Sequence, residues 1–385
     1  KTPGNRPLLR LRGLWRRHLR QRRPASDKIQ DILRHESEAM IFGDPDLRRT
    51  IEGRQAGSRD QEETWFDFAD RLSSKVLARF SADLLSKVSQ VDLLNVLEKI
   101  GSAGSLYLAL APYFIAYSLS ARDRRFSLKL LDRFPGARDK AGEAGLLTGR
   151  VKMAHFTDTF FEVNGVASTL RQQLELARRK GKELEVITCH PQTQEGLPGL
   201  HCFRPIGVFA LPEYPELRLH LPPFLQILNH VHENGSTAIH SATPGPLGLV
   251  ALGIARILGL PISGTYHTAL PQYASILTDD RAMEGLVWRY TAWYYDQMDK
   301  IYVPSEETGQ ELRERGIGGD RIFVYPREVD LALFHPGRRN GFFHRRFRLG
   351  PGCRILYVGR VSKEKSLPLL VEAFKELARE REGVQ

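Results

Sequence analysis

Four groups of residues in this chain have the types and spacing to handle a phosphate, a sugar or a proton. The first is Asn164-Gly165, set between an apolar run ending at Phe156 and an amphipathic stretch over 165–180. A strand turning into a helix there points backbone N–H groups outward, and a glycine permits close approach, so the turn suits an anion or a sugar. It suits a plain tight turn equally, because no GxGxxG pattern accompanies it. The second and third are His240 and His267, each at or just beyond the end of an expected strand. A histidine in such a place either moves a proton or holds a structural hydrogen bond. The fourth is Arg360 with Lys363 and Lys365, between the run RILYVGR and a helical stretch over 367–381. A guanidinium and ammonium groups beside such a turn form either a diphosphate clamp or a solvated basic loop.

These groups need elements to position them. From Val151 onward, short apolar runs alternate with helical stretches: VKMAHF, ELEVITC, CFRPIGVFA, TAIHSA, LPISGTYH, KIYVPS and RIFVYP read as strands. Helices are expected near 165–180, 222–233, 246–258, 281–296 and 306–315, the third opened by Pro244-Gly245-Pro246. Such alternation predicts an α/β fold with a parallel, doubly wound sheet. Sheets of that kind bind ligands at the carboxyl ends of their strands, where Asn164, His240 and His267 would stand. Residues 331–353 read as a crossing segment, and RILYVGR begins a new strand–helix unit.

The region before Val151 has a different texture. Residues 1–25 carry nine Lys/Arg and no acid, whereas the whole chain of 385 residues has a net charge of +11. The body is therefore nearly neutral, which argues against a nucleic-acid-binding surface. Leu8, Leu11, Trp15 and Leu19 fall within about 80° of a helical projection among arginines, a pattern suited to an anionic membrane surface, a linker or a nucleic-acid contact. Residues 25–62 read as a weakly structured connector with a short helix near 27–39, and Glu63–Ile100 as helical. The uncharged stretch 103–121 could span a bilayer, dip into its interface or form a buried helix. Residues 122–150 read as a linker. The expected organisation is an arm and connector (1–62), a helical extension that is a candidate for membrane association (63–150), a first Rossmann-like domain (151–338) and the beginning of a second (339–385). Three scattered cysteines favour a reducing compartment and argue against a structural zinc site. No secretory signal pattern stands at the start, and the first residue is Lys1, which points to a piece of a longer or processed polypeptide.

Four segments together resemble one family. TDTFFEVNGVASTL, TPGPLGLVALGIARILGLPISGTYHT, VPSEETGQELRERGI with VYPREVDLALFHP, and YVGRVSKEKSLPLLVEAF match, in order and spacing, the retaining, nucleotide-sugar-dependent glycosyltransferases of family 4. The resemblance covers 151–385 and implies the two-domain GT-B fold, with its second domain truncated here. It is closest in texture to lipid-glycosylating members.

The resemblance implies roles by position. Gly165 would face the donor phosphates, His267 would contact the transferred sugar and support catalysis, and Arg360 with Lys365 would bind the donor diphosphate. Asp158, Asn164, His240 and Thr268 would lie in the acceptor or sugar vicinity. Cations that offset the leaving group's charge make a metal unnecessary, so no cofactor and no metal are expected. The implied activity is transfer of a hexose from a nucleoside-diphosphate sugar to a lipid or glycolipid, with retention, at the cytoplasmic face of a membrane and without nucleic acid. Two departures stand against it. Glu328 occupies the place where the family has glycine before Val-Asp, and the family's later Glu-x7-Glu stretch is absent. The chain as given is therefore expected to be inactive alone. The alternative is a non-catalytic module that docks on membranes and binds acceptor, with a degenerate donor site.

Overall fold

Helical stretches build the first part of the molecule, and short runs rich in β-branched and aromatic residues, alternating with helices, build the second. The computed structural model describes residues 26–51, 61–85, 104–133 and 151–381, apart from 163, 193–195, 212–213, 279–280, 326–328, 330, 349–353, 360 and 362. The basic arm 1–25 lies outside the described residues. Contacts divide the chain into two units, Lys1–Asp123 with Pro223–Leu228, and Arg124–Pro222 with Asn229–Gln385.

In the first unit, α1 (Ser26–Gly43), α2 (Pro45–Ile51) and α3 (Gln61–Leu85) pack together. The helix expected near 27–39 lies within α1, and α2 follows it, so more of 26–51 is helical than the connector reading allowed. Its charges are used between helices: the buried Glu36 of α1 accepts from Arg79 Nη1 at 2.7 Å and lies 3.3 Å from Lys75 Nζ on α3. Solvated-looking residues on a short helix hide such pairing from a sequence pattern. The next helix, α4 (Gly104–Asp132), continues through Pro112 and past the expected linker start at Arg122. Its Tyr113 hydroxyl donates to the Trp65 carbonyl of α3 at 2.8 Å. Among the described residues no helix, α4 included, is long and apolar enough to cross a membrane.

The second unit runs β1 (Lys152–Phe156), α5 (Gly165–Arg179), β2 (Glu183–Cys189), β3 (Leu200–Phe203), β4 (Gly207–Leu211), β5 (Tyr214–Leu221), α6 (Phe224–Glu233), β6 (Ala238–Ser241), α7 (Pro246–Leu258), β7 (Ile262–Thr265), α8 (Leu270–Thr278), α9 (Arg281–Asp296), β8 (Lys300–Val303), α10 (Glu306–Glu314), β9 (Ile322–Val324), α11 (Phe342–Phe347) and α12 (Leu367–Glu380). The first residues of α6 belong to the other unit. Among the described residues, seven strands form one sheet of order β3-β2-β1-β6-β7-β8-β9, each neighbouring pair parallel. This is the α/β class the alternation predicts. The direction of winding reverses between β1 and β6, so a crevice opens at their carboxyl ends.

The core follows from the same pattern. Val166, Ala167, Leu170 and Leu174 of α5 bury one helical stripe, and Phe160, Val186 and Ala242 complete that cluster. Helix α7 is apolar nearly all round; Leu247, Ala251, Ile254 and Leu258 are among its buried residues, the larger of them each contributing about 1.5–3 kcal/mol by burial. Gly259 ends α7 in the left-handed conformation (φ 60°), which glycine adopts without a Cβ penalty. Arg125 donates to the Gly259 carbonyl at 2.6 Å, placing a cation at the helix's negative end.

Two expectations change here. The run 202–210 is not one strand: Arg204 and Pro205 separate β3 of the main sheet from β4, which pairs antiparallel with β5. And RILYVGR is not paired as a strand. Residues 354–358 have the run's β-branched composition but belong to neither sheet among the described residues, and a strand exists only through its ladder.

Candidate functional site

The crevice is lined by the segments that leave β1 and β6. Asp158 stands two residues past β1 and is locked to the other side of the switch point. Its Oδ2 accepts from the Thr243 hydroxyl at 2.7 Å, its Oδ1 accepts from the Leu247 N–H at 2.9 Å, and its own N–H donates to Thr243 Oγ1 at 3.2 Å. The reason lies in α7. Its N-cap is Gly245, which has no side chain to satisfy the open N–H groups of the first turn, and Asp158 supplies the missing carboxylate from another strand. A Cβ on Gly245 would run into that carboxylate. Burial pushes the Asp158 carboxyl up to about 6, opposed by hydrogen bonds from Leu247, Thr243 and Gly248.

His240 sits in the middle of the sheet, one residue before the end of β6. Register places it between His155 on β1 and Ser263 on β7, so these three share one face. Its Nδ1 lies 2.8 Å from Ser263 Oγ and its Nε2 2.8 Å from Thr265 Oγ1. Hydroxyls donate or accept as required, so either neutral tautomer is satisfied. Burial, with the neighbouring His267 adding to it, pushes His240 down to about 3. The His155 ring lies edge-on at 4.3 Å, and burial holds its pKa well below the ordinary histidine value, with His240 and His267 as further causes. His155 Nε2 is buried without a hydrogen-bond partner among the described residues.

His267 follows β7 by two residues, half-buried, near enough to both buried imidazoles for its charge to matter to them. Three histidines from β1, β6 and the end of β7 therefore form one group. Thr268 comes next; its carbonyl accepts from the Leu270 N–H at 2.8 Å and turns the chain into α8. The short 3₁₀ turn Lys363–Lys365 lies beside α8, so the exposed Lys365 is brought to the helix that follows His267 and Thr268. Arg360 and Glu328 lie outside the described residues.

Asn164 is the N-cap of α5: its Oδ1 accepts from the Ala167 N–H at 2.9 Å and its Nδ2 donates to Glu162 at 2.8 Å. Gly165 is exposed at the first helical position. The start of α5 is thus capped by its own neighbouring residues, whereas the start of α7 takes its carboxylate from another strand. A surface hollow of about 580 Å³ beside α5, lined by Arg171, Glu175, Arg178 and Leu197 among others, contains none of these residues.

Sequence reading missed the supports of this edge. Tyr290, Tyr294 and Tyr295 of α9 hold the ends of β6 and β7. Tyr290 donates to the Pro244 carbonyl at 2.6 Å, Tyr295 donates to the Thr265 carbonyl at 2.9 Å, and Tyr294 shares a 2.6 Å hydrogen bond with Ser241. The signal available was the tyrosine-rich WRYTAWYYD, whose hydroxyls need partners when buried. His155 was also missed, although its place one residue before the end of the first strand equals that of His240 in its own.

Comparison with known proteins bears on this edge. Residues 163–333 match the family Glycosyltransferase Family 4. The sulfoquinovosyl transferase SQD2 of Arabidopsis thaliana is 28% identical over 58% of this chain and 44% of its own length. A GDP-mannose-dependent alpha-mannosyltransferase of Mycobacterium tuberculosis is 30% identical over 57% of this chain and 58% of its own. An alpha-monoglucosyldiacylglycerol synthase of Streptococcus pneumoniae is 24% identical over 61% of this chain and 54% of its own. The chain spans about half the length of these relatives.

Proposed function

We propose that this chain, whose residues 163–333 are a glycosyltransferase family 4 segment, is the acceptor-side part of an enzyme that moves a hexose from a nucleoside-diphosphate sugar to a lipid or glycolipid, with retention of configuration. The observation that carries the reading is the carboxyl edge of the sheet inside that segment. There the family match coincides with a switch-point crevice bearing His267 and Thr268 beside two buried, neutral imidazoles.

Each side chain has a part that its surroundings support. Asp158 is spent on α7 and fixes the crevice wall, so the edge is rigid before a substrate arrives. His240 stays neutral and takes no proton at physiological pH; it orients Ser263 and Thr265. His267, half-buried and beyond the strand, would meet the sugar, with Thr268 beside it. The N–H groups at Gly165 face the diphosphate, and Lys365 with Arg360 offsets the charge that grows on the leaving nucleoside diphosphate. In this reading a metal is not required for that charge, and the enzyme works at the cytoplasmic face of an anionic membrane. The diacylglycerol name among the relatives supports a lipid acceptor, and the GDP-mannose name supports a nucleotide-sugar donor.

The test is transfer by the natural full-length polypeptide, offered UDP-glucose or GDP-mannose and diacylglycerol vesicles. His267→Ala should lower kcat by about 10²–10⁴-fold, the range for a group acting on the reacting centre, while circular dichroism stays unchanged. Wild-type turnover in that variant removes His267 from the mechanism. The second reading, a non-catalytic acceptor-binding module, rests on Glu328 replacing the expected glycine. It predicts vesicle binding but no transfer with any donor, even after Glu328→Gly.

A further inference from the structure

On the face of the sheet away from the crevice's chemistry, three side chains distant in sequence converge. Glu185 lies on β2, His201 on the edge strand β3 and His230 on α6. Register explains the first two. His201 pairs with Ile187, and Glu185 is two residues from Ile187, so both point to the same side of the sheet. His230, near the end of α6, and Asn234, just past that end, both reach Glu185 from that side. One ligand atom from each of Glu185, His201 and His230 lies within 4.8 Å of the other two. All three residues are half-buried, so an ion could reach them.

We propose that Glu185, His201 and His230 form a binding site for a divalent transition-metal ion of the zinc class. Two imidazoles and a carboxylate are a borderline-soft set that suits zinc and disfavours calcium or magnesium, which take oxygen ligands. Tetrahedral ligands at about 2.0–2.2 Å from zinc lie roughly 3.3 Å from one another. His230 Nε2 stands 2.9 Å from Glu185 Oε1, so this pair is already near that spacing, and the His201 ligand atom lies within 4.8 Å of both. Water completes the fourth position.

The surroundings support this reading independently of the three ligands. Asn234 Nδ2 donates to Glu185 Oε2 at 2.6 Å, and Lys152 Nζ donates to Asn234 Oδ1 at 2.7 Å, which fixes the amide's orientation. Glu185 therefore keeps Oε1 for the ion while its second oxygen is held, the arrangement that orients metal-ligating carboxylates. The consequence is mechanical: the ion would tie the edge strand β3 to β2 and α6. The scattered cysteines argue only against a structural zinc site, and 185, 201 and 230 have no recognisable spacing.

The experiment titrates chelator-treated protein with Co²⁺ alone, then Zn²⁺. The expected result is saturable binding of one Co²⁺ with the intense visible bands of tetrahedral coordination, lost when Zn²⁺ is added, and a higher Tm with Zn²⁺ than with chelator. His201→Ala and Glu185→Gln should abolish the bands. Asn234→Ala should weaken binding by about 10–100-fold, and His190→Ala should leave it unchanged. If His201→Ala fails to fold, Glu185→Gln, which keeps the shape of the side chain, decides. Absence of saturable Co²⁺ binding by the wild-type protein, or binding that persists in Glu185→Gln, overturns the proposal and leaves a hydrogen-bonded cluster.

Discussion

Two buried ionisable residues at the crevice should oppose one another as pH changes. Asp158 has its pKa raised from 3.8 to about 6, so the folded protein keeps a proton that the unfolded chain has released. Its ionisation costs stability as pH rises through that window. His240 has its pKa depressed from 6.5 to about 3, so its contribution is complete above 6.5 and is lost as pH falls toward 3. His155 acts in the same direction as His240. Urea unfolding across this pH range should therefore show a steeper rise of stability with pH in Asp158→Asn than in the wild type, and a flatter rise in His240→Asn. Equal slopes in Asp158→Asn and the wild type would show that the carboxyl is not raised. At this scale the sequence carried positions better than duties. Asp158, Asn164 and His240 could each be found beside a strand or turn. That Asp158 caps α7, that Asn164 caps α5, and that His240 rests on Ser263 and Thr265 depend on which strands are neighbours, and no local pattern states that.

Elements were legible where one periodicity dominates. Helix α5 buries a regular stripe, α7 begins at proline and ends at glycine, and the β-branched runs fall where strands form. They were illegible where pairing decides. The β4–β5 hairpin follows a proline break inside an apolar run, and α8 follows β7 so closely in sequence that its start reads as loop. The α1–α3 group is held by charges that a solvated helix also carries. Two glycines on neighbouring helices give opposite predictions about such packing. At Gly248, in the first turn of α7, a Cβ would collide with the Thr243 carbonyl oxygen and meet Tyr294 Oη at 2.6 Å and Ser241 Oγ at 3.0 Å. The carbonyl is backbone and cannot yield, so Gly248→Ala should destabilise by about 1–3 kcal/mol. At Gly285, within α9, a Cβ would meet nothing within 4 Å. Gly285→Ala should stabilise by roughly 0.5–1 kcal/mol, because alanine loses less backbone entropy in a helix. Thermal unfolding of the two variants checks both signs, and a neutral Gly248→Ala would mean that α7 does not sit tightly against the β6 turn.

For the whole molecule, the proposed work at an anionic membrane surface assigns parts to the basic arm and to an exposed apolar stripe. Removing the nine cations of residues 1–25 brings the net charge from +11 to +2, so the basicity belongs to the arm. Helix α4 adds a second element. Ile115, Leu119, Phe126 and Leu130 are all exposed, Ile115 at 59% and Phe126 at 63%. At 100° per residue they fall within about 60° of one another, and Arg122 and Lys129 lie close to that stripe. An exposed apolar stripe flanked by cations is suited to lie in a headgroup layer, its side chains in the acyl boundary and its charges on anionic lipid. The arm would supply long-range attraction and α4 the apolar hold, two signals where either alone binds weakly. Flotation with vesicles of neutral and anionic lipid separates them. Wild-type protein should float with anionic vesicles at low salt and less at high salt, because charge attraction is screened over about 10 Å at 0.1 M. Deleting residues 1–25 should remove most of the salt dependence. Leu119→Asp with Phe126→Asp should remove the binding that survives high salt, without lowering Tm, since both side chains are exposed. Failure of the wild-type chain to float with anionic vesicles at low salt would place the reaction away from a membrane surface and leave the lipid acceptor without support from this chain.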